Sequence, residues 1–375
     1  MLKNNFTILR LILASLVMFG HFKALRYIKT GGGIFGYADF AVAAFFVISG
    51  YLVYASFDKM PKLKGFYIKR FFRIYPLYAF MIFTQTLVML ALLGDKAEFV
   101  DTLQYLASNL VFANFLHYDM GGLLANLPDH GINVSLWTLK IEVMFYLLVP
   151  ALWWLVRRFG FSALLVIYIL STAYFLIVSN YSAVYAKQLL GQMRFFVVGI
   201  GLYLYQNKLI IPAHPIIPIP INNLSFPRRR ESWLKTPACA GVTMDRHLFV
   251  KSFMGIGIIF KKYLYIPAAL ILFAICSFRH ELPLSIIYPL LVGGLVFICA
   301  LRLPALPIKN DISYGVYLIH APLIQLSLLL GFYDDSLWFL LLIVAIVCLL
   351  AFIAEKFIEL PMIKMGKKYA EKYAQ

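Results

Sequence analysis

Leu337-Trp-Phe-Leu-Leu-Leu-Ile-Val-Ala-Ile-Val-Cys-Leu-Leu-Ala-Phe-Ile-Ala354 runs for eighteen residues without a charged side chain. Wound as an α-helix at ~1.5 Å per residue, it comes close to the ~30 Å of a bilayer's hydrocarbon core, and a soluble domain has no comparable place to bury it. Similar stretches recur at 5–24, 36–56, 74–93, 136–156, 160–178, 193–207, 257–277, 284–302 and 312–331, and the last extends over 337–358. The reading is an all-α, polytopic membrane helix bundle of about ten transmembrane helices. With 62% hydrophobic and only 14% charged residues in a chain of 375, one multi-pass domain accounts for most of the sequence.

The formal charge of +17 raises the question of nucleic acid, but the basic residues sit in short segments between apolar runs. That placement reads as topology, because basic loops stay on the cytosolic side. Lys59, Lys62, Lys64, Lys69, Arg70 and Arg73 follow the second span; Arg157 and Arg158, Arg302 and Lys309, and the C-terminal lysines fall on the same side. Asp334 and Asp335 follow the ninth, so both termini are expected in the cytosol. Lys23, Arg26 and Lys29 run against the pattern, and the segment Lys96–Asn133, with its short apolar stretch Leu103–Leu116, has the look of a re-entrant piece. The first apolar run lacks a small-residue cleavage signature and is expected to be retained as a helix. Cys239, Cys276, Cys299 and Cys348 have no paired spacing, and read as packing residues rather than metal ligands or a disulfide framework.

Residues 208–252 interrupt the apolar pattern with prolines at 212, 215, 218 and 220, a basic run at Arg228–Arg230 and a polar stretch. They read as a disordered cytosolic insert between 1–207 and 253–365, which form one transmembrane domain; 366–375 reads as a cytosolic tail. The insert resembles the translation of a dispersed bacterial intergenic repeat.

A charged side chain near the centre of a span costs roughly 2.5 to 3.5 kcal/mol on insertion scales, so the polar residues inside the runs mark where function sits. Arg10 and His21 lie eleven positions apart on the first span, about three turns and ~16 Å, close to one face. A snorkelling Arg and a hydrogen-bonded helix-end His are the alternative reading. In Phe66-Tyr-Ile-Lys-Arg-Phe-Phe-Arg-Ile-Tyr-Pro76, Arg70 and Arg73 share a helix face and suit a bidentate clamp on phosphate; positive-inside anchoring and lipid headgroup contact explain them equally well. Ser135-Leu-Trp-Thr-Leu-Lys-Ile-Glu-Val-Met-Phe-Tyr146 carries Glu142 about two turns into its span, where a carboxylate suits proton transfer with a His, or pairs structurally with Lys140 or a neighbouring helix. Ser135 stands where a helix cap would. His320, in Ile312-Ser-Tyr-Gly-Val-Tyr-Leu-Ile-His-Ala-Pro322, falls near mid-depth, and Glu355 and Glu359 fall level with the arginines, where ion pairing is the economical explanation. Sorted by depth, the arginines gather at the cytosolic end, and His21 and Glu142 toward the other. No Gly-x-Ser-x-Gly, Walker or His-Glu-x-x-His motif competes.

Taken in order, these segments resemble the acyltransferase-3 family of membrane O-acyltransferases. Arg10 with His21 is similar to its Arg-(ten residues)-His signature, Phe45-Phe-Val-Ile-Ser-Gly-Tyr51 to its second-span signature, and Arg70 and Arg73 to its Arg-x-x-Arg before Tyr-Pro. Ser135–Tyr146, Ser313–His320 and Glu359-x-Pro361 agree as well. The resemblance implies transfer of an acetyl or other short acyl group from acyl-CoA, acetyl-CoA above all, to a hydroxyl of an envelope carbohydrate, in the bacterial inner (cytoplasmic) membrane. It casts His21 as the base that deprotonates the acceptor, or as a transient acyl carrier, and Glu142 as the group that orients it or shares its proton. Arg10, Arg70 and Arg73 become the donor-binding set, with Ser135, His320 and Glu359 in support and neither a metal nor a permanently bound cofactor. The expected partners are acyl-CoA, the carbohydrate acceptor and the bilayer, with no nucleic acid. Many family members add an extracytoplasmic esterase-like domain; with only a short stretch after the last span, none is expected here. A transporter or exporter of an envelope saccharide or lipid-linked intermediate is the alternative, since intramembrane His and Glu also build proton-coupled pathways.

Overall fold

A computed structural model describes residues 4–24, 36–207, 282–306, 308, 310–334 and 336–373, with six further positions between 265 and 273. The insert at 208–252, most of the 257–277 run, Cys239 and Cys276 lie outside the described residues, as do Arg26, Lys29, Lys309, Asp335 and the side chain of Lys23. Among the described residues there are helices and no strands. In chain order they are α1 (Phe6–Ala24), α2 (Ala38–Asp58), α3 (Leu63–Leu93), α4 (Phe99–Leu110), α5 (Leu136–Phe159), α6 (Phe161–Ser179), the short α7 (Ala183–Ala186), α8 (Leu189–Gln206), α9 (Leu282–Phe297), α10 (Ser313–Leu329), α11 (Leu337–Ala354) and α12 (Leu360–Glu371).

Among the described residues, six helical stretches are long and apolar enough to cross a membrane: Ala38–Asp58, Leu63–Lys96, Leu136–Phe159, Phe161–Ser179, Ser285–Arg302 and Leu337–Glu371. Phe6–Phe22 and Ser313–Leu329 are shorter apolar helices. Many residues that are large, apolar and exposed, such as Phe80, Phe83, Leu147, Trp154, Leu170, Leu342 and Leu349, ring these helices, as a lipid-facing surface requires. The chain is therefore a multi-pass membrane protein.

The third span begins earlier than the apolar run at 74–93 indicates. Lys64 to Arg73 already belong to α3, so Arg70 and Arg73 ride on a rigid helix and not on a loop. The segment after it makes one helix, α4, of 12 residues, too short to cross the hydrocarbon. It is fastened to α3 by buried polar contacts: Tyr78 donates to the Asn109 carbonyl at 2.6 Å, and Gln85 to the Tyr105 hydroxyl at 2.6 Å. At the other end of the chain, α12 carries the region read as a tail back onto α3, with Gly366 and Ala370 buried against it and Phe72 stacked on Tyr369 at 5.9 Å.

Among the described residues α2 packs most extensively with α8, and small residues allow it. A Cβ at Gly50 would stand 2.1 Å from the Phe196 carbonyl oxygen, and one at Gly199 would stand 2.0 Å from the Val47 oxygen. Backbone meets backbone there, and Phe196 fills the space beside it, stacked on Phe145 at 4.0 Å. The Ser-Gly pair at 49–50 thus has two jobs: Gly50 admits α8, and Ser49 turns its hydroxyl toward α5. Gly199→Val is expected to force the pair apart and lower stability by about 1–3 kcal/mol, read as a lower melting midpoint of the purified chain, with Gly50→Val at least as severe. A midpoint unchanged in both would contradict this packing.

The end of α2 is locked in place by a polar knot. Asp58 accepts from Trp153 Nε1 at 2.7 Å, Arg157 at 2.7 Å and the Tyr203 hydroxyl at 3.0 Å, tying α2 to α5 and α8. The basic pair Arg157 and Arg158 closes α5, where cations favour the helix C-terminus. Gly160, with φ +65°, then makes the tight turn into α6 that a side chain would strain.

Candidate active site

Two clusters of polar groups lie at opposite ends of α1. At its first turns, Arg10 Nη2 donates to Asp311 Oδ2 at 2.6 Å, and Arg73 Nη2 reaches the same oxygen at 3.2 Å. Arg73 Nη1 also pairs with Glu359 Oε2 at 3.3 Å, on a carboxylate almost wholly buried. Burial would raise the Asp311 carboxyl, but Arg10, Arg73 and the Ser313 hydroxyl outweigh it and hold the carboxyl below the usual carboxylate range. The sequence-level pairing of the two α11-end acids with the arginines holds for Glu359 and fails for Glu355. The latter instead accepts the Asp311 backbone N–H at 3.3 Å, fixing the loop that presents Asp311. Both acids belong to the π-helical turn Glu355–Glu359, which keeps the two carboxylates buried.

Arg70 differs from its neighbours. It donates to Ser56 Oγ at 3.0 Å and lies against the rings of Phe66 and Tyr146, each 5.7 Å from the guanidinium, and among the described residues no carboxylate pairs with it. It faces a cavity of about 560 Å³ whose walls carry five cations, Arg10, Lys69, Arg70, Arg73 and Lys367, against two carboxylates, Asp311 and Glu371. Three net positive charges around one cavity give it a field that favours anions.

At the far end of α1, His21 meets His320. His21 Nδ1 and His320 Nε2 are 2.7 Å apart, with the rings stacked at 5.0 Å between centroids. His320, fully buried, places Nδ1 2.9 Å from the Val316 carbonyl oxygen. A carbonyl only accepts, so the proton of neutral His320 sits on Nδ1 and its Nε2 is the acceptor. His21 therefore donates from Nδ1, and its Nε2 keeps a free lone pair. His21 lines a cavity of about 300 Å³ together with Asp39, Val42, Trp137, Lys187 and Tyr317.

The structure does not bring Glu142 into direct contact with His21. Glu142 Oε1 accepts from Ser49 Oγ at 3.0 Å and from the Tyr146 hydroxyl at 2.6 Å, and His320 occupies the place beside His21. The partner comes from α10, which packs along α1, whereas α5 approaches α2 instead. Nor does Glu142 pair with Lys140, whose ammonium lies over the Phe115 ring at 4.5 Å. Ser135 stands at the N-cap of α5 without capping it. Its hydroxyl bonds to Asn133 Oδ1 at 2.6 Å and to the Tyr317 carbonyl at 3.2 Å, while Asn133 donates to the Leu318 carbonyl at 3.0 Å. These bonds suture α5 to α10 one turn from His320 and so hold the His pair in register. The Tyr317 hydroxyl, 2.5 Å from Thr138 Oγ1, completes the seam.

Between the two clusters lies a cavity of about 140 Å³ lined by Glu142, Ser49, Tyr146 and Tyr314. It shares Arg10, Leu52, Arg70 and Arg73 with the basic cavity, and Val42 and Tyr317 with the cavity of His21. The three adjoin through these common walls, the basic one with five cations around it and the last with His21. Among the described residues no group of three or more His, Cys, Asp or Glu is placed to hold a metal ion, and Cys299 and Cys348 are free and half-buried. Asp311, Ser49 and Tyr146 went unrecognised as site residues in the sequence. Asp311 sits in a short loop ahead of α10 and looks like any loop acid, and the other two are ordinary residues of apolar helices.

A multi-pass helical bundle with a cationic vestibule, a histidine pair and a connecting cavity has the class features of a membrane-embedded transferase. The chain belongs to the acyltransferase-3 family, whose acyltransferase domain matches residues 3–356. It is similar to nodulation protein 10 of Rhizobium leguminosarum bv. viciae, 32% identical over 181 residues, which cover 44% of this chain and about half, 48%, of that protein. It is also similar to the O-acetyl transferase of Shigella phage Sf6, 25% identical over 355 residues, 89% of each chain. No solved structure matches it.

Proposed function

We propose that the protein transfers an acetyl or other short acyl group from acyl-CoA to a hydroxyl of an envelope carbohydrate, in the bacterial inner membrane with both termini in the cytosol. The observation that supports this reading is the run of adjoining cavities, sharing wall residues, between the arginine cluster and His21. The phosphates of the donor bind at Arg70, Arg73 and Arg10, with Arg70 the guanidinium most available because among the described residues no carboxylate holds it. The thin arm bearing the thioester follows the cavity past Glu142 toward His21. The acceptor enters from the opposite end.

In the reaction, the acceptor hydroxyl gives its proton to His21 Nε2 as its oxygen bonds to the thioester carbonyl carbon. The C–S bond breaks, the ester forms, and the proton passes from His21 to the departing thiolate. His320 acts as a positioning residue: by accepting from His21 Nδ1–H it fixes the tautomer that leaves Nε2 basic, and it steadies the imidazolium while the proton is held there. Glu142, bonded to Ser49 and Tyr146, holds α2 and α5 around the path of the arm. The O-acetyl transferase of the phage, alike over 89% of both chains, supports acetyl as the group moved.

Membranes from a host expressing the chain, given acetyl-CoA labelled in its acetyl group, are expected to place label in envelope carbohydrate in a form released by mild base, as an ester is. Arg70→Gln is expected to raise the acetyl-CoA KM at least about tenfold, since a charge-assisted bond to phosphate is worth ~1.5–3 kcal/mol, with kcat changed much less. Saccharide crossing the membrane with no label incorporated would overturn transfer in favour of transport.

A further inference from the structure

The line of cavities does not end at His21. A further cavity of about 320 Å³ shares Asp39, Val42, Trp137 and Lys187 with that of His21, and the residue at its core is Arg194 on α8. Arg194 is only 4% exposed. Its guanidinium lies 3.5 Å from the centroid of the Phe175 ring and 5.1 Å from that of Phe195, and its single hydrogen bond, from Nη1 to the Ser285 carbonyl, is a long 3.5 Å. Its Nε is sealed from solvent without an acceptor, and among the described residues no carboxylate pairs with it.

A guanidinium has five N–H donors, and burying it without an anion is costly. A purely structural pin between α8 and α9 would use more than one long bond. Among the described residues the one carboxylate on the wall, Asp39, is taken by Lys187 at 3.3 Å, which leaves two cations facing one acid there and a net charge of +1. Trp137, on the wall common to both cavities, offers the flat apolar face against which a sugar ring packs.

We propose that this cavity is an oxyanion subsite for the acceptor: Arg194 takes a carboxylate or phosphate carried by the saccharide while the hydroxyl to be acylated rests at His21. The acceptor class is thus an acidic glycan. The role of His21 rests on the acyl-transfer reading above; the binding of an acidic saccharide at Arg194 does not.

The test is a binding measurement on the purified full-length chain in phosphatidylcholine nanodiscs, without acyl-CoA. Saturation-transfer NMR titrations compare 4-nitrophenyl β-D-glucuronide, 4-nitrophenyl β-D-glucoside 6-phosphate and the neutral 4-nitrophenyl β-D-glucoside. Wild type is expected to bind at least one of the anionic glycosides about tenfold or more tightly over the neutral one, with the carboxylate and phosphate arms telling which anion is native. Arg194→Gln is expected to erase the preference, and Arg194→Lys to retain part of it. Equal binding of all three by wild type, or a preference that survives in folded Arg194→Gln, would overturn the proposal. So would displacement of the glycosides by phosphatidylglycerol added to the nanodiscs, which assigns the site to a lipid headgroup. Should Arg194→Gln fail to fold, the wild-type contrast and the Lys variant decide. A chain that prefers acidic glycosides yet transfers no acetyl keeps the subsite and loses the transfer reading; transfer without preference does the reverse.

Discussion

His21→Ala is expected to lower acyl transfer by about 10²- to 10⁴-fold at matched expression, with the acetyl-CoA KM little changed. The reason is positional: in the proposed reaction His21, which lines one cavity, takes the proton of the acceptor, and the donor phosphates are held in another at the opposite end of α1. His320 offers a graded companion. His320→Ala removes the acceptor for His21 Nδ1–H and frees the ring to turn and change tautomer, so kcat is expected to fall roughly ten- to a hundredfold, the range for an outer partner of a catalytic group. His320→Gln, whose side-chain oxygen can accept the same proton, is expected to recover part of that loss. Steady-state kinetics with purified variants separates the cases: a His320→Gln no better than His320→Ala would reduce His320 to a packing residue.

Asp311→Ala is expected to cost the fold about 2–3 kcal/mol, the largest stability effect among the polar residues. Asp311 is the acid that Arg10 and Arg73 share, and without it two guanidiniums face each other inside the bundle. Breaking a fully buried pair costs ~3–5 kcal/mol; the side chains here keep a fifth to a quarter of their exposure, 20% for Asp311 and 25–26% for the arginines, which brings the loss to just below that range. Unfolding in a detergent titration should show it, and Asp311→Ala with Arg10→Ala should recover part, because the stranded charge is removed. A single variant within about 0.5 kcal/mol of wild type would contradict the structural weight placed on Asp311.

How much of this is legible in the sequence follows from how far each signal travels along the chain. A charge in an apolar run is conspicuous by itself, so Arg10, His21, Glu142 and His320 stand out, as do the spans that hold them. Pairing is another matter. His21 and His320 are 299 positions apart, and only the packing of α1 on α10 brings them together. Two buried titratable groups invite the guess that they meet, and Glu142 was the nearer in sequence to His21; the bundle sends it to Ser49 and Tyr146 instead. Asp311 was silent because an acid in a short loop is ordinary until its guanidinium partners, more than two hundred positions away, are seen. Arg194 was hidden differently: its span, read as 193–207, put it at a helix end, where an arginine snorkels, but α8 starts at Leu189 and carries it inside.

The central claim is that donor and acceptor meet along one line of cavities between the arginines and His21. Val42 tests it most directly, for it lines the central cavity, that of His21 and that of Arg194. Labelled acetyl transfer by purified Val42→Trp, beside Val42→Ala and wild type with matched melting midpoints and matched acetyl-CoA binding, is the measurement. The account predicts that Trp plugs the line and lowers transfer about a hundredfold, the cost of misplacing reactants by ~1 Å, while Ala leaves transfer near wild type. Transfer by Val42→Trp within twofold of wild type would contradict it.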